Sequence, residues 1–364
     1  MSLERVQRSG VADLPLHPGS APPWLFKRMV SLGREIVGAI VCEYGEEEFV
    51  KRIADPFWFQ SLSCVLGFDW HSSGTTTVTL GALKEGLKNQ EMDLHILGGK
   101  GKAMRNTIPE IDSLDGDPSE KDRLKYSSRM CAKIDTSAVQ SGHGIYHHSM
   151  VIGGGNWAVV QQGMRPSDKT ARRYHWLGSE VKKFTIEPHS GIVGNREKKI
   201  LNMVARESHE AQKISVDIAA EGPAKLKSFI VDTGNSQMRL DDFLPGDKVR
   251  YLYMPANLNW EGVKKAYEFQ PRNYEELLSI KGVGPSTIRA LALISEVIYG
   301  ARPSYEDPVR FSFAVGGKDG VPFPVDRRAM DESTQMLKEA VESAKLGRDE
   351  KMKAVKRLDL FVDR

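Results

Sequence analysis

The chain has little cysteine: three in 364 residues, Cys42, Cys64 and Cys131. The odd number argues against a disulfide framework, and the wide spacing excludes a zinc knuckle, so a reducing, cytoplasmic setting is expected. Charge of one sign is also lacking. Lys and Arg number 51 against 48 Asp and Glu, a formal charge of +3. That excludes a uniformly basic, histone-like binder and leaves room for a local basic face. No apolar run approaches the roughly 18 residues of a membrane span. The start, Met1-Ser-Leu-Glu-Arg5, has no signal-peptide core. Low-complexity tracts and internal repeats are missing. The Gly98-Gly-Lys-Gly-Lys102 loop lacks the Walker spacing, so no nucleotide cofactor is expected. Hydrophobic residues make up 40% and charged residues 27%, the composition of a globular chain long enough for two or three domains.

The most informative stretch that is present runs Leu277-Leu-Ser-Ile-Lys-Gly-Val-Gly-Pro-Ser-Thr-Ile-Arg-Ala-Leu291. It reads as a helix-hairpin-helix. Leu277, Leu278 and Ile280 close one short helix, Gly282-Val283-Gly284 make the hairpin, and Pro285 opens a second helix, where its missing N–H is harmless. The free N–H groups at that helix start, with Lys281 beside them, suit an anion. Lys281, Gly282, Val283, Gly284, Ser286 and Thr287 are therefore candidate contacts to DNA phosphates, without sequence preference. The alternative is an ordinary helix pair joined by a glycine turn.

Periodicity predicts helices over Trp24–Tyr44, Glu46–Ile53, from Thr76, Glu120–Lys133, Lys198–Arg206, Glu210–Ala220, Trp260 to 300 and Arg328–Leu346. Asp93–Leu97 alternates as a strand, residues 112–122 read as an acidic surface loop, and 301–325 as a long loop. Ile145–Ile152 and Trp157–Gly163 read as a β-hairpin around Gly153-Gly-Gly-Asn156. The fold class is α+β: a mixed domain over 1–221 containing the hairpin, a connecting segment over 222–256, and a mainly helical domain over 257–364.

Six phrases occur together: Leu14-Pro-Leu-His-Pro-Gly19, Gly67-Phe-Asp-Trp-His-Ser-Ser-Gly74, Gly144-Ile-Tyr-His-His-Ser149, Val159-Val-Gln-Gln-Gly-Met164, Arg172-Arg-Tyr-His-Trp176 and Gly316-Gly-Lys-Asp-Gly320. Through them the chain resembles, over nearly its whole length, a prokaryotic and mainly archaeal family known as domain of unknown function 763. The resemblance implies an N-terminal part of novel fold joined to a helix-hairpin-helix part. It implies no activity, which has to come from the residues.

Four groups carry candidate chemistry. Asp69 and His71, two apart in one loop, suit a divalent metal, Mg²⁺ or Mn²⁺; the Ser72–Thr76 run after them suits phosphate or a plain helix cap. His147, His148 and Gln161 on the β-hairpin form either part of that site or a buried His–Gln network. Adjacent histidines on a strand face opposite sides, so one of them at most reaches any one site. Arg172 and Arg173 beside Tyr174 and Trp176 suit phosphate contact and base stacking or a surface turn. Lys100, Lys102 and Arg105 make an anion cradle, and His189 is a further imidazole. Finally, the hairpin followed by Pro324-Val-Asp326 is similar to the pattern of helix-hairpin-helix base-excision glycosylases. That resemblance gives Asp326 a catalytic role, with a helix cap as the alternative. The interval from Ser286 to Asp326 is longer than that class carries, and Ser286 stands where its lyase-type members have lysine.

The expected function is a cytoplasmic, DNA-binding repair protein. Its first reading is a metal-dependent nuclease using Asp69, His71, a hairpin histidine and Gln161. The alternatives are a glycosylase using Asp326 and a non-catalytic DNA-binding scaffold. Oligomeric state is left open.

Overall fold

The computed structural model describes residues 21–67, 73–88, 90–229, 254–255, 257–309, 327–343, 351–356 and 358. The expectations on Asp69, His71 and Asp326, on residues 230–253 of the connecting segment and on residues 310–325 of the long loop lie outside them.

Four helices open the fold. α1 (Pro23–Tyr44) buries Met29, Leu32, Ile36, Val37 and Ile40, a stripe at three- and four-residue spacing. α2 (Glu46–Ala54) starts with three glutamates and ends with Lys51 and Arg52, each charge favourable to the helix dipole. Asp55 separates α2 from α3 (Pro56–Val65). Its carboxylate accepts from the N–H groups of Phe57 and Trp58 at 2.8 and 3.0 Å, with Pro56 in the first turn. α4 spans Ser73–Gly86.

Strands β1 (Leu94–Lys100), β3 (Gly144–Gly153), β4 (Asn156–Arg165), β5 (Thr170–Leu177) and β6 (Gly191–Val193) form an antiparallel sheet in the order β1-β3-β4-β5-β6. A two-residue β2 (Val139–Gln140) pairs separately with β7 (Leu201–Asn202). The fold is α+β, with helices on both faces of the sheet. Alternation along the strands divides the core. Leu94, Ile96, Val151, Ala158, Val160 and Leu177 face α1–α4. Leu97, Met150, Val159, Tyr174, Trp176 and Ile192 face α6 (Pro118–Lys133), α7 (His209–Glu221) and the C-terminal helices.

A short α5 (Thr107–Asp112) precedes α6, and residues 223–229 form α8. α9 (Trp260–Phe269), α10 (Tyr274–Ser279) and α11 (Pro285–Tyr299) follow. Val263, Leu277, Val283, Ile288 and Leu291 share one hydrophobic cluster with the sheet, so α10, α11 and the turn between them are seated on the sheet's core. α12 (Arg327–Ser343) lies on the other side, with Met336, Leu337, Ala340 and Val341 against the α1–α4 layer.

Three segments depart from the sequence expectation. Residues 198–205 are not helical: Leu201–Asn202 is strand β7, and Asn202 also bridges Ser304. The acidic stretch is loop only to Asp117, which caps α6 by accepting from Ser119 N–H at 3.2 Å. Arg172–Trp176 is not a surface turn but the buried interior of β5.

Candidate functional site

The sheet register places two polar rows back to back. Lys100 pairs with His147, His147 with Gln162, and Gln162 with Arg173. The next residues along give the opposite face: His148 pairs with Gln161, and Gln161 with Tyr174. His147 and His148 thus belong to different environments, as the two-residue period of a strand requires.

On the face toward α6 the polar groups form one continuous chain. Ser128 Oγ lies 2.9 Å from His148 Nε2, and His148 Nδ1 lies 2.8 Å from Gln161 Oε1. Gln161 Nε2 donates to Asp135 Oδ2 at 2.5 Å, Trp176 Nε1 donates to the same oxygen at 3.0 Å, and His189 Nε2 lies 2.5 Å from Asp135 Oδ1. The acceptor role of Asp135 fixes the protons along the chain. Gln161 must present its amide N–H to Asp135 and its oxygen to His148, so His148 carries its proton on Nδ1 and offers the Nε2 lone pair to the Ser128 hydroxyl. Burial holds His148 below the usual histidine pKa, which keeps it neutral in that tautomer. Asp135 is only 1% exposed and sits in a π-helical turn, Ile134–Ala138, that continues α6. Such wide turns point a side chain where a regular helix cannot, and they recur at functional positions.

On the other face Gln162 is the hub. Its amide nitrogen donates to Ser73 O at 2.8 Å and to the Tyr146 hydroxyl, and its oxygen accepts from Thr76 Oγ1. A bulge between Ile145 and His147 shifts the register there and lets Tyr146 reach the same face. His147 Nε2 contacts Ser149 Oγ at 3.0 Å, and burial drives the His147 pKa down to about 3. Arg173 completes the row with no exposure to solvent. Lys100 and Lys102 stand exposed at the end of β1. Their glycines have a packing reason: a Cβ on Gly98, at φ +78°, would sit 2.3 Å from His148 O.

Arg172 is not available to phosphate. Its guanidinium is buried and donates through Nη1 and Nη2 to Asp307 at 3.1 and 2.6 Å, and through Nη2 to Asn195 O at 3.0 Å. Among the described residues no group of three His, Cys, Asp or Glu side chains is arranged to hold a metal ion, and the two residues expected to do so, Asp69 and His71, lie outside them.

The hairpin is built from its surroundings. Asn273 caps α10 by accepting from Glu276 N–H at 2.9 Å, and Glu276 accepts in return from Arg272 N–H at 2.9 Å. Lys133, at the end of α6, donates to the carbonyls of Ile280, at 3.2 Å, and Val283. Gly262 of α9 lies so close to Gly282 that a Cβ would be 2.3 Å from the Gly282 oxygen. Val283 and Thr287 are buried, so their side chains are packing elements. Lys281 and Pro285 are exposed, with Gly282, Gly284 and Ser286 partly so. Gly284 gives α11 no side-chain cap. Between α9 and the hairpin runs an open groove of about 480 Å³ lined by Lys265, Glu268, Phe269, Ser279, Ile280 and Lys281.

Sequence reading missed Asp135, Ser128, Gln60 and Asp307 as site-forming groups. None lies in a motif with characteristic spacing; each matters through partners distant in the chain. The profile of the family described as protein of unknown function DUF763 matches residues 10–325. The chain belongs to this family. No curated protein and no solved structure matches it. Family membership therefore adds no chemistry, and among the described residues no helix is long and apolar enough to cross a membrane.

Proposed function

We propose that this DUF763 protein binds the phosphate backbone of duplex DNA through its helix-hairpin-helix. One observation carries the reading: the turn Lys281–Pro285, exposed at both ends, leads into a helix whose first-turn N–H groups receive no side-chain cap. Such groups, with a lysine beside them, complement a phosphate and carry no base information. Lys133 and Gly262 support the reading because they hold the hairpin backbone in one position before any ligand arrives. Lys265 and the exposed Phe269 line the groove beside Lys281.

Strand cleavage with Mg²⁺ or Mn²⁺ would draw on Asp69 and His71, and base excision on Asp326. Binding is the activity that the described geometry supports. It is tested by fluorescence anisotropy of the full chain with labelled duplexes of unrelated sequence over a salt series. Affinity is expected to be indifferent to sequence and to fall steeply with salt. Lys281→Ala is expected to lower the salt slope by about one. Binding unchanged by Lys281→Glu would overturn the proposal. Incubating the same duplexes with Mg²⁺, Mn²⁺ or EDTA, with and without alkali, separates cleavage, base excision and simple binding.

A further inference from the structure

Arg172 and Arg173 are neighbours on β5 and point to opposite faces. Among the described residues, only the first has a carboxylate partner. Arg172 has the Asp307 carboxylate, in a bidentate arrangement. Arg173, equally buried, has no carboxylate at ion-pair distance among the described residues. Its Nη1 and Nη2 reach only Thr76 Oγ1 and Gln60 Oε1, each at 3.4 Å, and its Nε has no partner. The Phe59 ring lies 4.7 Å from its Cζ, which offsets part of the charge. The amide nitrogen of Gln60 is also buried without a partner.

Among the described residues no carboxylate answers the Arg173 charge, and the unpartnered acceptor beside it is the neutral His175 Nε2. Gln162 does not relieve the charge, since its oxygen is taken by Thr76 and its nitrogen by Ser73 O and Tyr146. His175, beside Arg173 on the strand, turns Nδ1 to Ile53 O at 3.2 Å and is held neutral by burial and by the Arg173 charge. Thr76 stands in the first turns of α4, where the helix dipole adds positive potential. The row ends at exposed Lys100, three strand spacings or about 14 Å from Arg173. A buried cation left without a counter-charge is strongly unfavourable. A compact anion with several acceptor oxygens would answer that charge.

We propose that Arg173 and Gln60, beside Thr76, form a buried binding site for a phosphate-type oxyanion, separate from the hairpin and independent of its role. The planar guanidinium edge matches two oxygens of a phosphate, and the Gln60 amide supplies a third donor. Free phosphate and the terminal phosphate of a nucleic-acid strand offer the same chemistry.

The test is thermal unfolding of the full chain with inorganic phosphate titrated against sodium chloride at equal ionic strength. The wild type is expected to gain a saturable rise in Tm. Lys281→Ala, which alters only the hairpin, is expected to respond as the wild type does. Arg173→Met fills the space without the charge and is expected to lose the response. Where Arg173→Met does not unfold cooperatively, Gln60→Leu serves, with at least a tenfold weaker apparent affinity expected. No saturable rise in the wild type, or a rise undiminished in Arg173→Met and Gln60→Leu, overturns the proposal. A stronger response to a 5′-phosphorylated dinucleotide than to inorganic phosphate assigns the site to a strand end, and an equal response assigns it to free phosphate.

Discussion

Asp135 and His189 meet Oδ1 to Nε2 at 2.5 Å on the sheet face opposite Arg173, 54 residues apart in the chain. The contact anchors a chain of donors that runs through Gln161 and His148 to Ser128. It joins the loop before β6 to the end of α6, the helix that also carries Lys133 to the hairpin. The position of the hairpin thus depends on a polar network inside the molecule.

Asp135→Asn keeps the size of the side chain and turns one acceptor into a donor. It then faces His189, or Gln161 and Trp176, with the wrong polarity. Removing a buried hydrogen-bond partner costs about 1–3 kcal/mol per unsatisfied group, so a loss of about 3 kcal/mol is expected in urea unfolding. Gln161→Leu is expected to lose a similar amount, since it strips partners from both His148 and Asp135. A loss below about 1 kcal/mol in both would mean that water replaces the chain readily.

The buried pair Arg172–Asp307 leads to an asymmetric prediction. Asp307 also accepts from the N–H groups of Glu197 at 2.7 Å and Val309 at 3.1 Å. Removing Arg172 leaves the carboxylate with two donors, whereas removing Asp307 leaves a guanidinium with only the Asn195 carbonyl. Asp307→Ala is expected to cost about 3–5 kcal/mol, and Arg172→Met distinctly less. Equal losses by denaturant unfolding would show that the backbone donors contribute nothing.

The sequence makes the helices legible where burial is periodic, as at Met29, Leu32, Ile36 and Ile40 of α1, and where caps are local, as at Asp55. The β-hairpin is equally legible, because Gly154 and Gly155, at φ +57° and +74°, mark its turn. Arg172 and Arg173 are not. Two adjacent arginines read as solvent-facing, and the residue that makes burial tolerable for the first lies 135 positions away. Asp135 has no local mark at all, since its meaning comes from Gln161, Trp176 and His189 on other elements. The helix expected over 198–206 fails for a related reason. Ile200, Met203 and Val204, at three- and four-residue spacing, mimic a helical face, but the pairing of Leu201–Asn202 with Val139–Gln140 decides the backbone.

Four buried histidines make stability fall in acid. Burial, first among the causes, takes His143 and His147 down to about 3, holds His148 below the usual histidine value and holds His175 well below it. All four are neutral in the folded chain at neutral pH. As pH drops below the unfolded-state value of about 6.5, the unfolded chain takes up protons that the folded chain refuses. Their stabilisation is full above about pH 6.5 and is lost progressively toward pH 3, each group adding about 1.4 kcal/mol per pH unit to the slope. Melting temperature is expected to fall steeply from pH 6.5 to 4.5 and to be flat from 6.5 to 8. His147→Gln is expected to make the acid limb shallower; an unchanged slope would mean that His147 titrates normally.

Gly262 provides a way to move the hairpin without touching any group proposed to meet DNA. An added Cβ would lie 2.3 Å from the Gly282 oxygen, which is main chain and cannot swing aside. Gly282 itself is held at φ +103°, so the hairpin has little freedom to adjust in place. Gly262→Ala is expected to cost about 1–3 kcal/mol through overpacking and to shift the turn away from α9. Because the N–H groups at the start of α11 act by direction, duplex affinity is expected to fall at least tenfold, while Lys281 stays in place to keep the salt slope near that of the wild type. Lys281→Ala has the opposite profile, a shallower slope with full stability. If Gly262→Ala destabilises the chain but leaves duplex affinity intact, the backbone N–H groups are not the contact, and binding rests on the lysines of α9 and the hairpin alone.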